Sequence, residues 1–162
     1  MATVTRVVTK TITVNAAFLR EIKEVHEDLW RAQQQLRDMC SRPMSLRDDA
    51  TGFVELLGRF RDELAMHFSL EEAYGYFNDP VEVAPRLDKR AHELRAEHES
   101  LYREIAALVE RAEECLYHDR RAELLVNIPL AFGVFDDQLG EHEHRETALI
   151  LAAFDDDLGV GD

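Results

Sequence analysis
The chain opens on "TVTRVVTKTITVN", where polar and β-branched residues alternate with period two, and then changes rhythm. Alternation of that kind suits an extended arm or a short strand, since β-branched side chains are poor helix formers. From Ala16 onward the apolar positions recur three and four apart, the spacing of an amphipathic helix, and they keep it nearly to the end. Breaks fall at "SRPMS", "NDPVEVAP" and "YHD", where Pro, Asn, Asp or Ser can stop or start a helix. They predict four long helices, roughly 16–40, 46–77, 85–116 and 120–155. Ser45 and Asp48 stand near capping-box spacing for the second, and Pro85 suits the first turn of the third. Pro129 is expected to kink the fourth or to mark its effective start. Four amphipathic helices on short connections imply an all-α fold, an antiparallel up-down four-helix bundle. The expected organisation is an extended N-terminal arm (1–15), one bundle domain (16–155) and an acidic, Gly-rich tail (156–162).

Written out as seams, the apolar stripes show what is unusual about them. The first helix offers Leu19, Ile22, His26, Leu29, Gln33, Leu36 and Cys40, and the second Phe53, Leu57, Phe60, Leu64, His67, Glu71 and Tyr74. The third offers Leu87, Ala91, Leu94, His98, Leu101, Ile105, Leu108, Ala112 and Cys115, and the fourth Ile128, Phe132, Phe135, Leu139, His142, Glu146, Leu149 and Ala153. Nearly all the polar intruders are His and Glu. On the first helix an equally good seam runs through Phe18, Ile22, Val25, Leu29, Ala32, Leu36 and Met39, and there His26 flanks the core.

Depth decides whether these residues can meet. At about 1.5 Å of rise per residue, His26 lies roughly 15 Å from the start of its helix, and His67 and Glu71 roughly 9 to 15 Å from the end of theirs. His98 lies roughly 20 Å into the third helix, and His142 and Glu146 roughly 14 to 20 Å from the end of the fourth. In an antiparallel arrangement all six share one slab. A single His on an apolar face is usually a hydrogen-bonded core residue, but six ionisable groups without a Lys or Arg in the seam would cost several kcal/mol each to bury. A bound cation supplies the missing charge. His67 and Glu71, like His142 and Glu146, are i, i+4 pairs that put two donors on one helical face. Four imidazoles and two carboxylates are too many for one tetrahedral zinc and suit two first-row ions, with Glu71 and Glu146 bridging and positions left open for small ligands.

Composition narrows the setting. A formal charge of −14 over 162 residues disfavours nucleic acid, whose affinity rests on Lys and Arg. No apolar run approaches the ~20 residues that span a bilayer, and no signal-peptide core is present, so no membrane association and a cytoplasmic location are expected. Cys40 and Cys115 lack CxxC spacing and read as buried small hydrophobes.

With His26 on the first helix, "HFSLE" on the second, "EH" at Glu97 and His98 on the third, and "HEHRE" on the fourth, the chain resembles the hemerythrin-like, or HHE cation-binding, family over about residues 16–155. The resemblance implies a non-haem di-iron centre, oxo- or hydroxo-bridged, with zinc or manganese as substitutes. The implied ligands are His26, His67, Glu71, His98, His142 and Glu146, and the implied small-molecule partners are O2, peroxide, NO and anions. Two departures separate the chain from the oxygen carriers of that family. Leu94 stands where they have a further His, and Thr147 where they have an Asp, with Glu146 one residue earlier. The expected behaviour is therefore reaction with oxygen or peroxide, including weak peroxidase- or catalase-like activity, rather than reversible carriage. The alternative is a non-enzymatic iron or oxygen sensor, or an iron-buffering module, acting through a second copy or another protein.

Overall fold
A computed structural model describes residues 16–73, 81–82 and 84–159 of the chain. All regular structure among them is helical. The helices are α1 (Ala16–Ser41), α2 (Pro43–Asp48), α3 (Ala50–Ala73), α4 (Asp88–Tyr117) and α5 (Ile128–Gly159). The arm at 1–15 and Tyr74 lie outside the described residues. The long helices pack in sequence, α1 on α3, α3 on α4 and α4 on α5, and α5 returns to α1.

Two boundaries differ from those the sequence suggested. The expected second helix, 46–77, is two helices that meet at Asp49. Pro43 begins the first of them, because its fixed φ suits an initial turn and its missing N–H would have no partner there. Asp49 leaves helical geometry (φ −135°, ψ 58°), and its Oδ1 accepts the Gly52 N–H at 3.0 Å, capping α3. The cap is therefore Asp49, and α2 begins without a side-chain cap, so the Ser45–Asp48 capping box does not form. At the other end of the chain, α5 continues past the expected limit of 155 to Gly159.

The remaining punctuation is where it was expected. Pro85 opens a short 3₁₀ turn, Pro85–Leu87, that leads into α4. The helix α4 ends in a Schellman motif: Asp119 takes a left-handed φ of 52°, Arg120 N–H reaches Cys115 C=O at 2.8 Å, and Asp119 N–H reaches Leu116 C=O at 3.4 Å. Pro129 cannot donate to the carbonyl four residues back. The backbone widens just before it into a π turn, Glu123–Asn127, where Ile128 N–H reaches back to Glu123 C=O.

Every position of the predicted third and fourth seams is buried, and Val109 on α4, outside the predicted seam, is buried with them. On α3, Phe53, Leu57, Phe60, Leu64, His67 and Glu71 are buried, and on α1 Leu29, Ala32, Gln33 and Leu36. The two alternative seams of α1 thus share one face, with Met39 and Cys40 both half-buried and His26 at its margin. Both cysteines are free, Cys115 buried in the main core. No helix among the described residues is long and apolar enough to cross a membrane.

The core is divided. A large apolar cluster runs from Leu29, Phe60 and Leu64 to Leu101, Ile105, Phe132 and Leu139, and a smaller one joins Ala84, Leu87, Ala91, Leu94, Leu149 and Ala153. On α4 the residue between Leu94 and Leu101 on the seam is His98, and on α5 the residues between Leu139 and Leu149 are His142 and Glu146. A polar layer therefore separates the two apolar clusters.

Candidate metal centre
The six residues singled out in the sequence all enter that layer. Five of them, His67, Glu71, His98, His142 and Glu146, are 0–3% exposed, and His26 is half-buried. They form two groups of three, His26–His67–Glu71 and His98–His142–Glu146, in each of which one donor atom per residue lies within 4.8 Å of the others.

Glu71 joins the groups. Its Oε1 is 2.9 Å from His67 Nε2, and its Oε2 is 3.4 Å from His98 Nε2. Glu146 Oε1 lies 2.9 Å from His142 Nε2 and 3.1 Å from His98 Nε2. The His26 and His67 rings meet edge to face at 4.3 Å, and those of His98 and His142 at 5.0 Å. Phe68 stacks on His98 at 4.0 Å and walls the layer.

His98 Nε2 and Glu146 Oε1 are hydrogen-bonded, but other donors of the layer are not. His67 Nε2 and His142 Nε2 are each close to a carboxylate oxygen, yet neither makes a hydrogen bond, and Glu71 Oε2 and His26 Nδ1 are likewise buried without a partner. Ligands about 2.1 Å from a common ion are about 3.0 Å apart at right angles and about 3.4 Å apart at tetrahedral angles. The 2.9–3.4 Å separations here fall in that range. Orphaned buried polar atoms are rare in proteins, and several converging on one layer fit a cation.

The electrostatics agree. Burial, then the His67 ring, lowers His26 to about 4, and burial lowers His67 to about 4, so both are neutral imidazoles able to donate a lone pair at neutral pH. Burial and the adjacent Glu146 carboxylate hold the Glu71 carboxyl well above the usual range. Burial would raise Glu146 too, but the His142 and His98 rings overrule it and hold that carboxyl low. Without an ion, two carboxylates share one dry space and one of them must stay protonated.

Several contributing residues were not singled out from the sequence as site residues. Glu97 Oε2 sits 2.8 Å from His142 Nδ1 and is gripped by Arg145 through bonds of 2.6 and 2.9 Å. Glu72 Oε1 sits 3.1 Å from His98 Nδ1. A carboxylate on the far nitrogen fixes the ring and leaves Nε2 for a metal. Glu143 is the third addition: its Oε1 is buried without a hydrogen bond, 3.9 Å from His67 Nε2, and burial followed by the Glu146 and Glu71 carboxylates raises it to about 8. The available signal was charge beside a seam position, since Glu72 and Glu97 neighbour Glu71 and His98 in sequence, and Glu143 neighbours His142. Pairing across helices carries no sequence signal. Gln33, the remaining polar residue of the first seam, donates its amide to Asp136, which Arg37 also holds.

His92, His118 and His144 are exposed. Leu94 is buried in the smaller apolar cluster, and Thr147 is exposed with its hydroxyl on the Glu143 carbonyl. Comparison with known protein families, with curated proteins and with solved structures finds no match to this chain.

Proposed function
We propose that the chain is a hemerythrin-like, antiparallel up-down four-helix protein that holds two first-row metal ions, iron foremost, and presents them to O2, peroxide, NO or small anions. The observation that carries this reading is the junction at Glu71, a buried carboxylate whose two oxygens face two separate three-donor groups across a layer of unpaired donor atoms. The ring of helix contacts, each long helix on its sequence neighbours and the last on the first, supports the up-down arrangement.

The chain's own residues do the positioning. His26, His67 and Glu71 would hold one ion, and His98, His142 and Glu146, with Glu71 beside them, the other. Glu97 and Glu72 orient His142 and His98, while Phe68 and the two apolar clusters exclude bulk water. Bound iron would supply redox chemistry and open positions for small ligands; zinc in the same donors would supply open positions without redox chemistry. Leu94 and Thr147 remove the donors that would make the centre a three-His oxygen carrier, so reaction with oxygen is favoured over reversible carriage.

The test is elemental analysis together with the optical spectrum of protein loaded with iron and exposed to air. Two ions per chain and near-ultraviolet absorption are expected; a fully loaded sample with one ion overturns the two-ion centre. Evacuating a reduced, air-exposed sample is expected to leave its spectrum unchanged, and recovery of the reduced spectrum would show carriage despite Leu94. A sensor or iron-buffering role is favoured by one further observation, that among the described residues no Lys or Arg pairs with Glu71 or Glu146, so that occupancy by a cation would bear on the stability of the fold itself. Turnover of peroxide by the ferrous protein separates the enzyme from the sensor.

A further inference from the structure
The two metal positions are unequal in donors. The group around His98 and His142 has four donor atoms within reach of one another's neighbourhood: the two Nε2 atoms, Glu146 Oε1, and Glu71 Oε2 at 3.4 Å from His98. The group around His67 has three, from His26, His67 and Glu71.

We propose that Glu143 is a seventh donor, a terminal carboxylate for the ion held by His26, His67 and Glu71. The inference rests on the metal-centre reading above and adds to it a residue outside the six-ligand pattern. Glu143 Oε1 and His67 Nε2 face each other at 3.9 Å, both buried and neither hydrogen-bonded, with the His67 side chain only 3% exposed. Two atoms bonded to one ion at about 2.1 Å can stand at most about 4.2 Å apart, so the His67–Glu143 pair is within that limit, and Glu143, which lies outside the 4.8 Å group of His26, His67 and Glu71, would join it by turning its side chain inward. Arg37 feels the Glu143 carboxylate but is bound to Asp136. Among the described residues no Lys or Arg pairs with Glu143.

Charge points the same way. Two divalent ions bring four positive charges into a layer sealed by apolar clusters, where Glu71 and Glu146 return two. A third carboxylate brings the layer closer to neutrality, which a low-dielectric site favours. With Glu143, each group would offer two imidazoles and two carboxylates, which evens the donor count between them.

The test separates a ligand from a merely buried acid. Glutamine reproduces the shape and hydrogen-bonding capacity of a protonated carboxyl but is a poor metal donor, so Glu143→Gln preserves a structural role and abolishes a ligating one. The full metal-free chain, Glu143→Gln and Glu143→Ala are titrated with cobalt(II) under nitrogen, with bound cobalt measured by elemental analysis, the visible cobalt spectrum recorded, and helical content checked by circular dichroism. The unsubstituted chain is expected to take two equivalents. Both variants are expected to keep one at unchanged affinity and to bind the second at least tenfold more weakly, with its part of the cobalt spectrum altered. Either folded variant decides the matter. Two equivalents at unchanged affinities in a folded variant overturn the role of Glu143 and leave the two-ion centre standing; no cobalt uptake by the unsubstituted chain overturns both.

Discussion
Glu71 shows what a single residue contributes here, because its two oxygens serve two groups while each imidazole serves one. Glu71→Ala is therefore expected to remove metal more completely than His26→Ala or His142→Ala, as measured by bound metal per chain. His92→Ala and His144→Ala are expected to leave metal content unchanged, since both side chains are exposed on the outer faces of α4 and α5; loss of metal in His92→Ala with retention in His98→Ala would mean that the register of α4 is wrong. Glu97 acts through His142. Held by Arg145, it fixes the ring with Nε2 directed inward, and Glu97→Gln is expected to weaken metal affinity roughly 10- to 100-fold, with little change in the stability of the metal-free protein. An equal loss of stability with no change in affinity would reduce Glu97 to a surface ion pair.

At the scale of elements, the helices are set by their ends and by the few residues that break them. Asp49 both ends α2 and caps α3, so Asp49→Ala is expected to cost about 1 kcal/mol, measured by chemical denaturation of the metal-free protein. Gly52 beside it is constrained, because a Cβ there would stand 2.2 Å from Asp49 Oδ2 and push the cap aside. Gly133 and Gly140 on α5 face no such neighbour. Changing either to Ala is expected to stabilise the protein by roughly 0.5–1 kcal/mol, since alanine loses less backbone entropy on entering a helix. No gain at either position would indicate that α5 needs their flexibility.

For the whole molecule, the polar layer makes stability depend on pH, and the proposed metal centre would reverse the sign of that dependence. In the metal-free protein Glu143 is raised to about 8 and Glu71 is raised as well, each by burial first and then by the neighbouring carboxylates. A raised carboxyl contributes stability that is complete below its unfolded value and is lost as pH rises through its folded one. His26 and His67, lowered from 6.5 to about 4, contribute stability that is present above 6.5 and lost as pH falls. The two effects oppose each other below pH 6.5. Above it only the acids act, joined by His142, which burial would lower but Glu146 and Glu97 raise. Metal-free protein is therefore expected to lose stability between pH 6.5 and 8, by up to about 1.4 kcal/mol per pH unit for each such group. Metal binding needs these donors deprotonated, so the loaded protein should show the opposite slope. Parallel slopes in denaturation curves with and without metal would place the acids outside the centre.

Much of this was legible before any coordinates. The spacing of apolar residues on α4 and α5 named the buried positions there apart from Val109, because a helix of 3.6 residues per turn must turn one face inward and only apolar residues are cheap to bury there. The six donors stood out for the same reason, as the exceptions in an otherwise apolar stripe. Less could be read on α1, where two seams one residue apart both fit and the half-buried His26 lies at their margin. By itself the sequence determined which faces are inward, which residues interrupt them and at what depth, all of which follow from local periodicity and rise. The sequence offered Glu71 and Glu146 alike as bridges; it took the packed helices to show that Glu71 faces both groups while Glu146 sits with His98 and His142, that Glu97 and Glu72 grip two of the imidazoles, and that Glu143 confronts His67. Those relations join residues on different helices, and the rotation of one helix against another is set by packing across the whole core, which no local pattern records.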